Sequence, residues 1–79
     1  MKPERVFRIR AISASVFINE VDGEGGKRTV RNVNLQRRFK DGDQWKSSSS
    51  FALDDLPAAI AVLNLAMDHV AGQEAVIEP

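Results

Sequence analysis

The first part of the chain alternates apolar and polar residues with a period of two. Between positions 5 and 21, Phe7 and Ile9 fall on one face and the arginines between and after them fall on the other. A period of two with β-branched and aromatic residues predicts a β-strand. The alternation slips near positions 13–15, which predicts a bulge or bend that divides the segment into two strands.

Two further strands follow. The glycine-rich segment 22–27 is typical of a hairpin turn, because glycine tolerates the positive φ of a tight reversal. It precedes a third predicted strand over 28–40, a second turn over 41–44 and a fourth strand over 45–53. One face of the third strand carries apolar residues, namely Val33, Leu35 and Phe39. Its other face is polar and carries Asn32, Asn34, Gln36, Arg38 and Lys40.

From Asp54 the pattern changes to that of a helix. Asp54 or Asp55 is expected to cap the first turn, Pro57 suits that turn, and Gly72 suits a C-terminal stop. The predicted fold is therefore α+β: a four-stranded antiparallel sheet followed by one C-terminal helix. It forms a single domain over 1–79, with a core of about 5–71 and a tail at 72–79.

The helix is apolar around most of its circumference. One set of apolar residues follows a heptad-like spacing: Leu56, Ile60, Leu63, Met67 and Val70. A second set repeats that spacing one step around the helix: Ala58, Val62, Leu65 and His69. Such a helix is buried on more than one side. We therefore expect a homodimer, with an interface formed by Leu56, Ile60, Val62, Leu63, Leu65, Met67 and Val70.

Charge is distributed unevenly along a chain whose net charge is zero. All 11 Lys and Arg residues lie within 2–46, where six acids leave 11 − 6 = +5, and the five acids of 47–79 give −5. The chain has no cysteine and one histidine, His69, which argues against thiolate zinc sites and against a catalytic centre. We expect no enzyme activity, no cofactor and no metal.

The location and general partners follow from the same survey. The N-terminal segment lacks the apolar core of a signal peptide, and the apolar run 56–67 is too short to span a bilayer. We expect a cytoplasmic protein, nucleoid-associated in a bacterium, with neither a membrane nor a small-molecule substrate as partner.

Basic residues spread over several strands, among aromatic and amide side chains, are typical of surfaces that bind single strands. The predicted nucleic-acid-binding residues are Arg8, Arg10, Phe17, Arg28, Arg31, Asn34, Gln36, Arg38, Phe39, Lys40, Trp45 and Lys46. Alternation along the third strand places Phe39 on the same face as Val33 and Leu35, which favours a core position for Phe39 unless the strand bulges. The serine run 47–50 either approaches phosphates or forms a polar edge that resists aggregation.

The chain resembles the positive cofactor four family of transcriptional coactivators and, more distantly, the Whirly proteins. The resemblance is carried by the order of four strands and a helix and by the residue pattern of three segments. The segments are 7–13 (FRIRAIS), 33–44 (VNLQRRFKDGDQ) and 50–56 (SFALDDL). The resemblance implies a β4-α unit that dimerises through its helices and binds unpaired DNA on curved sheets. Phe39 falls where the family carries a stacking tryptophan, and Lys46 falls in a basic segment that is largely serine here.

The sequence therefore predicts a homodimeric single-stranded-DNA-binding protein that serves as a transcription, replication or recombination cofactor. RNA is an alternative ligand. A protein-interaction or structural dimer module without nucleic-acid binding is the alternative from another class, and a binder of a small anionic ligand is a weaker one.

Overall fold

A computed structural model describes residues 2–78 and contains four antiparallel strands followed by one helix. The strands are β1 (Arg5–Ile9), β2 (Ile12–Gly23), β3 (Gly26–Asp41) and β4 (Gln44–Ser48). A 3-10 turn (Leu53–Asp55) leads into helix α1 (Leu56–Glu74). Each strand pairs with its sequence neighbour, in the order β1-β2-β3-β4. The predicted α+β fold class is confirmed.

The helix packs on one face of the sheet, and two of its three buried residues are alanines. Ile12, Ala14 and Val16 of β2 are buried on that face, and the helix buries Ala59, Val62 and Ala66 against them. Small residues let the helix axis approach the sheet closely, at the cost of a small core. The larger apolar residues of the helix therefore point elsewhere.

The division of the first strand segment occurs earlier than predicted. The chain reverses at Arg10 and Ala11, and the flanking residues Ile9 and Ile12 are cross-strand partners. A two-residue turn places those partners on the same face. The residues on the helix side are therefore odd-numbered before the turn and even-numbered after it, without a bulge. The expected bulge at positions 13–15 is wrong for this reason, although the split into two strands is correct.

Arg10 has a φ of 56°, which lies in the left-handed region that glycine usually occupies in such turns. Among residues 2–78, the other positive φ values belong to glycines of the two later turns. The β1–β2 turn is therefore the point where a side chain is accommodated in a strained backbone conformation.

The fourth strand and the helix also differ from their predicted ends. β4 ends at Ser48, and Leu53, expected in the strand, is 84% exposed in the 3-10 turn. Asp55 accepts a hydrogen bond from the Ala52 amide at 3.1 Å, which fixes the bend before the helix. The helix continues through Gly72 to Glu74, so the predicted stop at Gly72 is wrong. Among residues 2–78, no helix combines the length and apolarity needed to cross a membrane.

Candidate nucleic-acid interface

The sheet face opposite the helix, here called the open face, is defined by alternation and register. Because side chains alternate along each strand and cross-strand partners share a face, the buried residues of β2 fix which positions point away from the helix. The open face comprises Val6, Arg8, Ser13, Ser15, Phe17, Asn19, Val21, Arg28, Val30, Asn32, Asn34, Gln36, Arg38, Lys40, Trp45 and Ser47.

The open face is basic and carries no acid. Its charged residues are Arg8, Arg28, Arg38 and Lys40. The acids within the described strands, Glu20, Asp22 and Asp41, occupy positions of the helix side. The acids of the strands therefore all lie on the helix side. The open face is positively charged, although the net charge of the whole chain is zero.

Ion pairing follows the same division. The ion pairs that involve strand lysines and arginines lie on the helix side: Lys27–Glu20 (4.0 Å), Arg31–Glu4 (3.0 Å), Arg37–Asp55 (3.5 Å) and Lys46–Asp41 (2.8 Å). Within the part of the chain that the structure describes, the four basic side chains of the open face form no ion pair. Their charges remain available to an anionic partner.

Trp45 is the most exposed aromatic ring of the open face, at 60%. The Arg38 Cζ lies 4.8 Å from the centroid of its ring, and the Lys40 Nζ lies 5.9 Å from it. Lys40 is the cross-strand partner of Trp45, and Arg38 is a diagonal neighbour. Two cations therefore flank an exposed aromatic ring, an arrangement that suits a phosphate backbone beside a stacked base.

Eight of the twelve predicted binding residues lie on the open face: Arg8, Phe17, Arg28, Asn34, Gln36, Arg38, Lys40 and Trp45. The other four do not. Arg10 lies in the β1–β2 turn, and Arg31, Phe39 and Lys46 occupy positions of the helix side. Their assignment to one common binding face is wrong, because odd-numbered residues of β3 and their β4 partners share a face with the helix.

Phe39 is half-buried on the helix side, with the Arg37 Cζ 5.3 Å from its ring centroid. The alternation of β3 predicts this placement, whereas the stacking role implied by the family resemblance requires an open-face ring. Trp45, on the neighbouring strand, occupies the open face instead. Asn19 and Asn32 also lie on this face, and strict alternation from the buried core would have identified both.

Arg31 belongs to a clamp that joins three parts of the fold. Its guanidinium donates two hydrogen bonds to Glu4, at 3.0 and 3.1 Å, and the Glu4 carboxylate lies 2.7 Å from the His69 Nε2. The hydrogen bonds from Arg31 and His69 lower the pKa of Glu4 from 4.5 to about 2. The clamp ties the segment before β1 to β3 and to the last turns of α1.

Several large apolar side chains of the helix are exposed. Ile60 is 58% exposed and Met67 is 60% exposed, and Leu56, Leu63 and Leu65 are exposed as well. We call Leu56, Ile60, Leu63 and Met67, which share one side of α1, the outer helix face; Leu65 lies about half a turn around the helix from them. Val62 is fully buried against the sheet of its own chain, so its predicted place in a dimer interface is wrong. Val70 is half-buried and packs against the core.

The surface described above therefore has two unlike sides, a basic open face and an apolar outer helix face. Comparison of the chain with protein-family models, with curated proteins and with solved structures finds no match. Function is accordingly inferred from the geometry of these two faces.

Proposed function

We propose that this protein binds single-stranded DNA through its open face. The observation that carries the proposal is the exposed ring of Trp45, flanked by Arg38 and Lys40 on a face without acids. Aromatic rings stack on unpaired bases, and unpaired cations neutralise the phosphates between them. The cations of the open face have no acidic partner among the described residues, whereas several of those on the helix side form ion pairs. This difference favours a binding role for the open face over a role in solubility alone.

The preference for single strands over duplex has a geometric basis. Proteins that read the major groove usually insert a basic helix, and α1 contains neither lysine nor arginine. A sheet with exposed rings has instead the shape of a stacking platform, and stacking requires bases that are free of their neighbours. RNA of the same length offers the same number of phosphates and, apart from uracil in place of thymine, the same bases, so it is the competing ligand.

The outer helix face supports the second part of the proposal, that the protein acts as a homodimer. Large apolar side chains on a surface helix normally face the core, whereas here the core positions are mostly alanine and the leucines, isoleucine and methionine face outward. A contiguous exposed apolar strip of this kind is typical of a protein interface. A second copy of the same helix presents the same apolar residues, and the outer helix face itself contains no charged side chain that would be buried between the two copies.

The direct test is equilibrium titration of a labelled single strand, its duplex and the equivalent RNA. We expect the single-stranded DNA to bind more tightly than the duplex. Trp45→Ala should weaken single-strand binding by ~1–3 kcal/mol, since it removes one stacking ring. The melting temperature of Trp45→Ala should stay close to that of the wild type, because the ring is exposed.

The alternative function, a protein-interaction or structural dimer module, is favoured by the outer helix face alone. The two candidates differ in the same titration. Equal binding to duplex and single strand, or binding to neither, would contradict the proposal and favour the interaction module, in which the open face is only a solvated surface.

A further inference from the structure

β3 is much longer than the strand that follows it, and most of one of its edges is unpaired. β2 pairs with β3 along residues 26–37, whereas β4 pairs only with residues 37–41. Within residues 2–78, no strand lies beside residues 27–36 on the β4 side of β3. This stretch, here called the free edge, contains 36 − 27 + 1 = 10 residues and is about 33 Å long at 3.3 Å per residue.

One hydrogen bond shows which backbone groups face outward from the free edge. The Arg38 amide donates to the Ala11 carbonyl at 2.8 Å, on the β2 side of β3. Backbone groups of successive strand residues point to opposite edges, so even-numbered residues of β3 bond to β2 and odd-numbered residues face away from it. The amides and carbonyls of residues 27, 29, 31, 33 and 35 therefore form an outward row, which is a template for another strand.

The free edge lacks the features that protect the other edges of the sheet. β1 and β4 have five residues each, and short strands offer few backbone groups. The unpaired part of β2 carries Glu20 and Asp22, which would meet like charges in a second copy. The free edge contains no acid, proline or glycine, its Lys27 and Arg28 lie at the turn, and Arg31 is paired with Glu4.

The free edge lies beside the outer helix face. Val33 of β3 lines a groove of about 500 Å³ together with Leu63, Met67 and Val70 of α1. Although Val33 belongs to the helix side of the sheet, it is 37% exposed, because α1 packs mainly on β1 and β2. A molecule that covers Met67 would therefore also meet the free edge.

We propose that the second copy in the proposed homodimer, on which this inference rests, pairs its own free edge antiparallel with this one. Backbone hydrogen bonds then join the two sheets while the outer helix faces pack together. A twofold axis makes such an edge self-complementary, because each copy offers the same donors and acceptors in the reverse direction. The outer helix face alone has four residues, few beside the ~20–30 that each partner of a standard interface contributes.

Edge pairing makes one binding surface out of two. A twofold axis that relates neighbouring antiparallel strands stands perpendicular to the sheet, so both helices lie on one side and both open faces on the other. The joined sheet has 4 + 4 = 8 strands, and the cations of both copies share its helix-free side. One nucleic-acid strand can then pass from copy to copy.

Amide hydrogen exchange, followed residue by residue by NMR, tests the pairing in the unmodified protein. The Arg31 and Val33 amides face outward near the middle of the free edge, and the Glu20 amide faces outward from the unpaired part of β2. After correction for intrinsic rates, Arg31 and Val33 should exchange at least about tenfold more slowly than Glu20. This protection should disappear in Met67→Glu, which removes the dimer.

A proline substitution tests the same hydrogen bonds by removing one of them. Val33→Pro deletes an outward amide and leaves the β2–β3 hydrogen bonds in place, because odd-numbered residues of β3 do not donate to β2. Val33→Ala, the matched control, shortens the side chain and keeps the amide. Since the loss occurs in both copies, Val33→Pro should raise the dimer dissociation constant at least about tenfold over Val33→Ala in sedimentation equilibrium. If Val33→Pro lowers the melting temperature, the exchange experiment decides the question.

The outcomes separate edge pairing from the homodimer itself. A wild-type dimer whose Arg31 and Val33 amides exchange as fast as the Glu20 amide would overturn edge pairing and leave a helix-mediated dimer intact. Equal dimer dissociation constants for Val33→Pro and Val33→Ala would also overturn it. A wild type that is monomeric at micromolar concentration would overturn both proposals.

Discussion

The Arg38 guanidinium lies over the face of the Trp45 indole, with 4.8 Å between Cζ and the ring centroid. This contact holds a cation beside the most exposed aromatic ring of the open face and leaves the charge of Arg38 without an acidic partner among the described residues. A base stacked on Trp45 would place its phosphate within reach of the same side chain. The pair therefore links the two physical contributions to single-strand binding, stacking and charge neutralisation.

The salt dependence of binding should identify the open-face cations individually. With four phosphates neutralised per chain, log K should fall against log salt with a slope of about −0.7 × 4, or roughly −2.8. Lys40→Gln should reduce the magnitude of that slope by about 0.7. Lys46→Gln is the matched control, because Lys46 lies on the helix side and pairs with Asp41 at 2.8 Å. Equal effects of the two substitutions, measured by titration at several salt concentrations, would refute this assignment.

The oligomeric state should depend on the outer helix face. We expect light scattering to give about twice the chain mass of 8.7 kDa. Met67→Glu should convert the protein to a monomer, because burial of an unpaired carboxylate in an apolar interface is costly. Ile77→Glu makes the same kind of change in the exposed segment after the helix and should leave the dimer intact. A wild-type protein that is monomeric at micromolar concentration would be incompatible with the dimer.

The clamp around Glu4 should make stability fall in acid. Arg31 and His69 lower the pKa of Glu4 from 4.5 to about 2 in the folded protein. A carboxyl group with a lowered folded-state pKa stabilises the fold above its unfolded pKa, and this contribution is lost as the pH falls toward the folded value. Wild-type stability should therefore decline between about pH 4.5 and pH 2 more steeply than that of Glu4→Gln.

The measurement is the urea midpoint as a function of pH for the wild type and for Glu4→Gln. Glu24→Gln, in the β2–β3 turn, provides a control that should follow the wild-type curve. Parallel curves for the wild type and Glu4→Gln would show that the clamp does not contribute to folding stability.

Replacement of Arg10 by glycine should stabilise the fold. Relief of the left-handed conformation at φ 56° is worth ~1–2 kcal/mol, and the greater freedom of glycine in the unfolded chain offsets about 0.5–1 kcal/mol of it. Arg10→Gly should therefore raise the free energy of unfolding by ~0.5–1 kcal/mol in denaturant titrations. Arg10→Ala removes the same side chain without relieving the backbone and should give no increase.

Much of the fold follows from local pattern, and the failures have identifiable physical causes. Alternation along β3 correctly separates Val33 and Leu35 from Asn34 and Gln36, because that strand is long and one of its faces is on the helix side of the sheet. The position of the β1–β2 turn is not evident, since Arg10 occupies a conformation that the sequence would normally mark with glycine. Local pattern gives no warning of that exception.

The sequence predicts the basic character of the candidate site better than it predicts which residues belong to it. Counting lysines and arginines along the chain detects the excess of positive charge but does not assign Arg31 or Lys46 to a face of the sheet. Arg31 forms an ion pair with Glu4, which lies 27 residues away in the sequence, and Lys46 pairs with Asp41 across the β3–β4 turn. The helix likewise shows two apolar sides in its pattern, while the choice of Val62 for the core depends on how α1 is rotated on the sheet.

The most direct test of the central claim uses the fluorescence of Trp45, the only tryptophan in the chain. Its emission reports on the open face without any label, so a titration with a short single-stranded oligonucleotide measures binding at the proposed site itself. We predict saturable quenching by single-stranded DNA that weakens as salt is raised, with a smaller response to duplex of equal length. Emission that is unchanged by single-stranded DNA at low salt would contradict stacking on Trp45 and, with it, the proposed role of the open face.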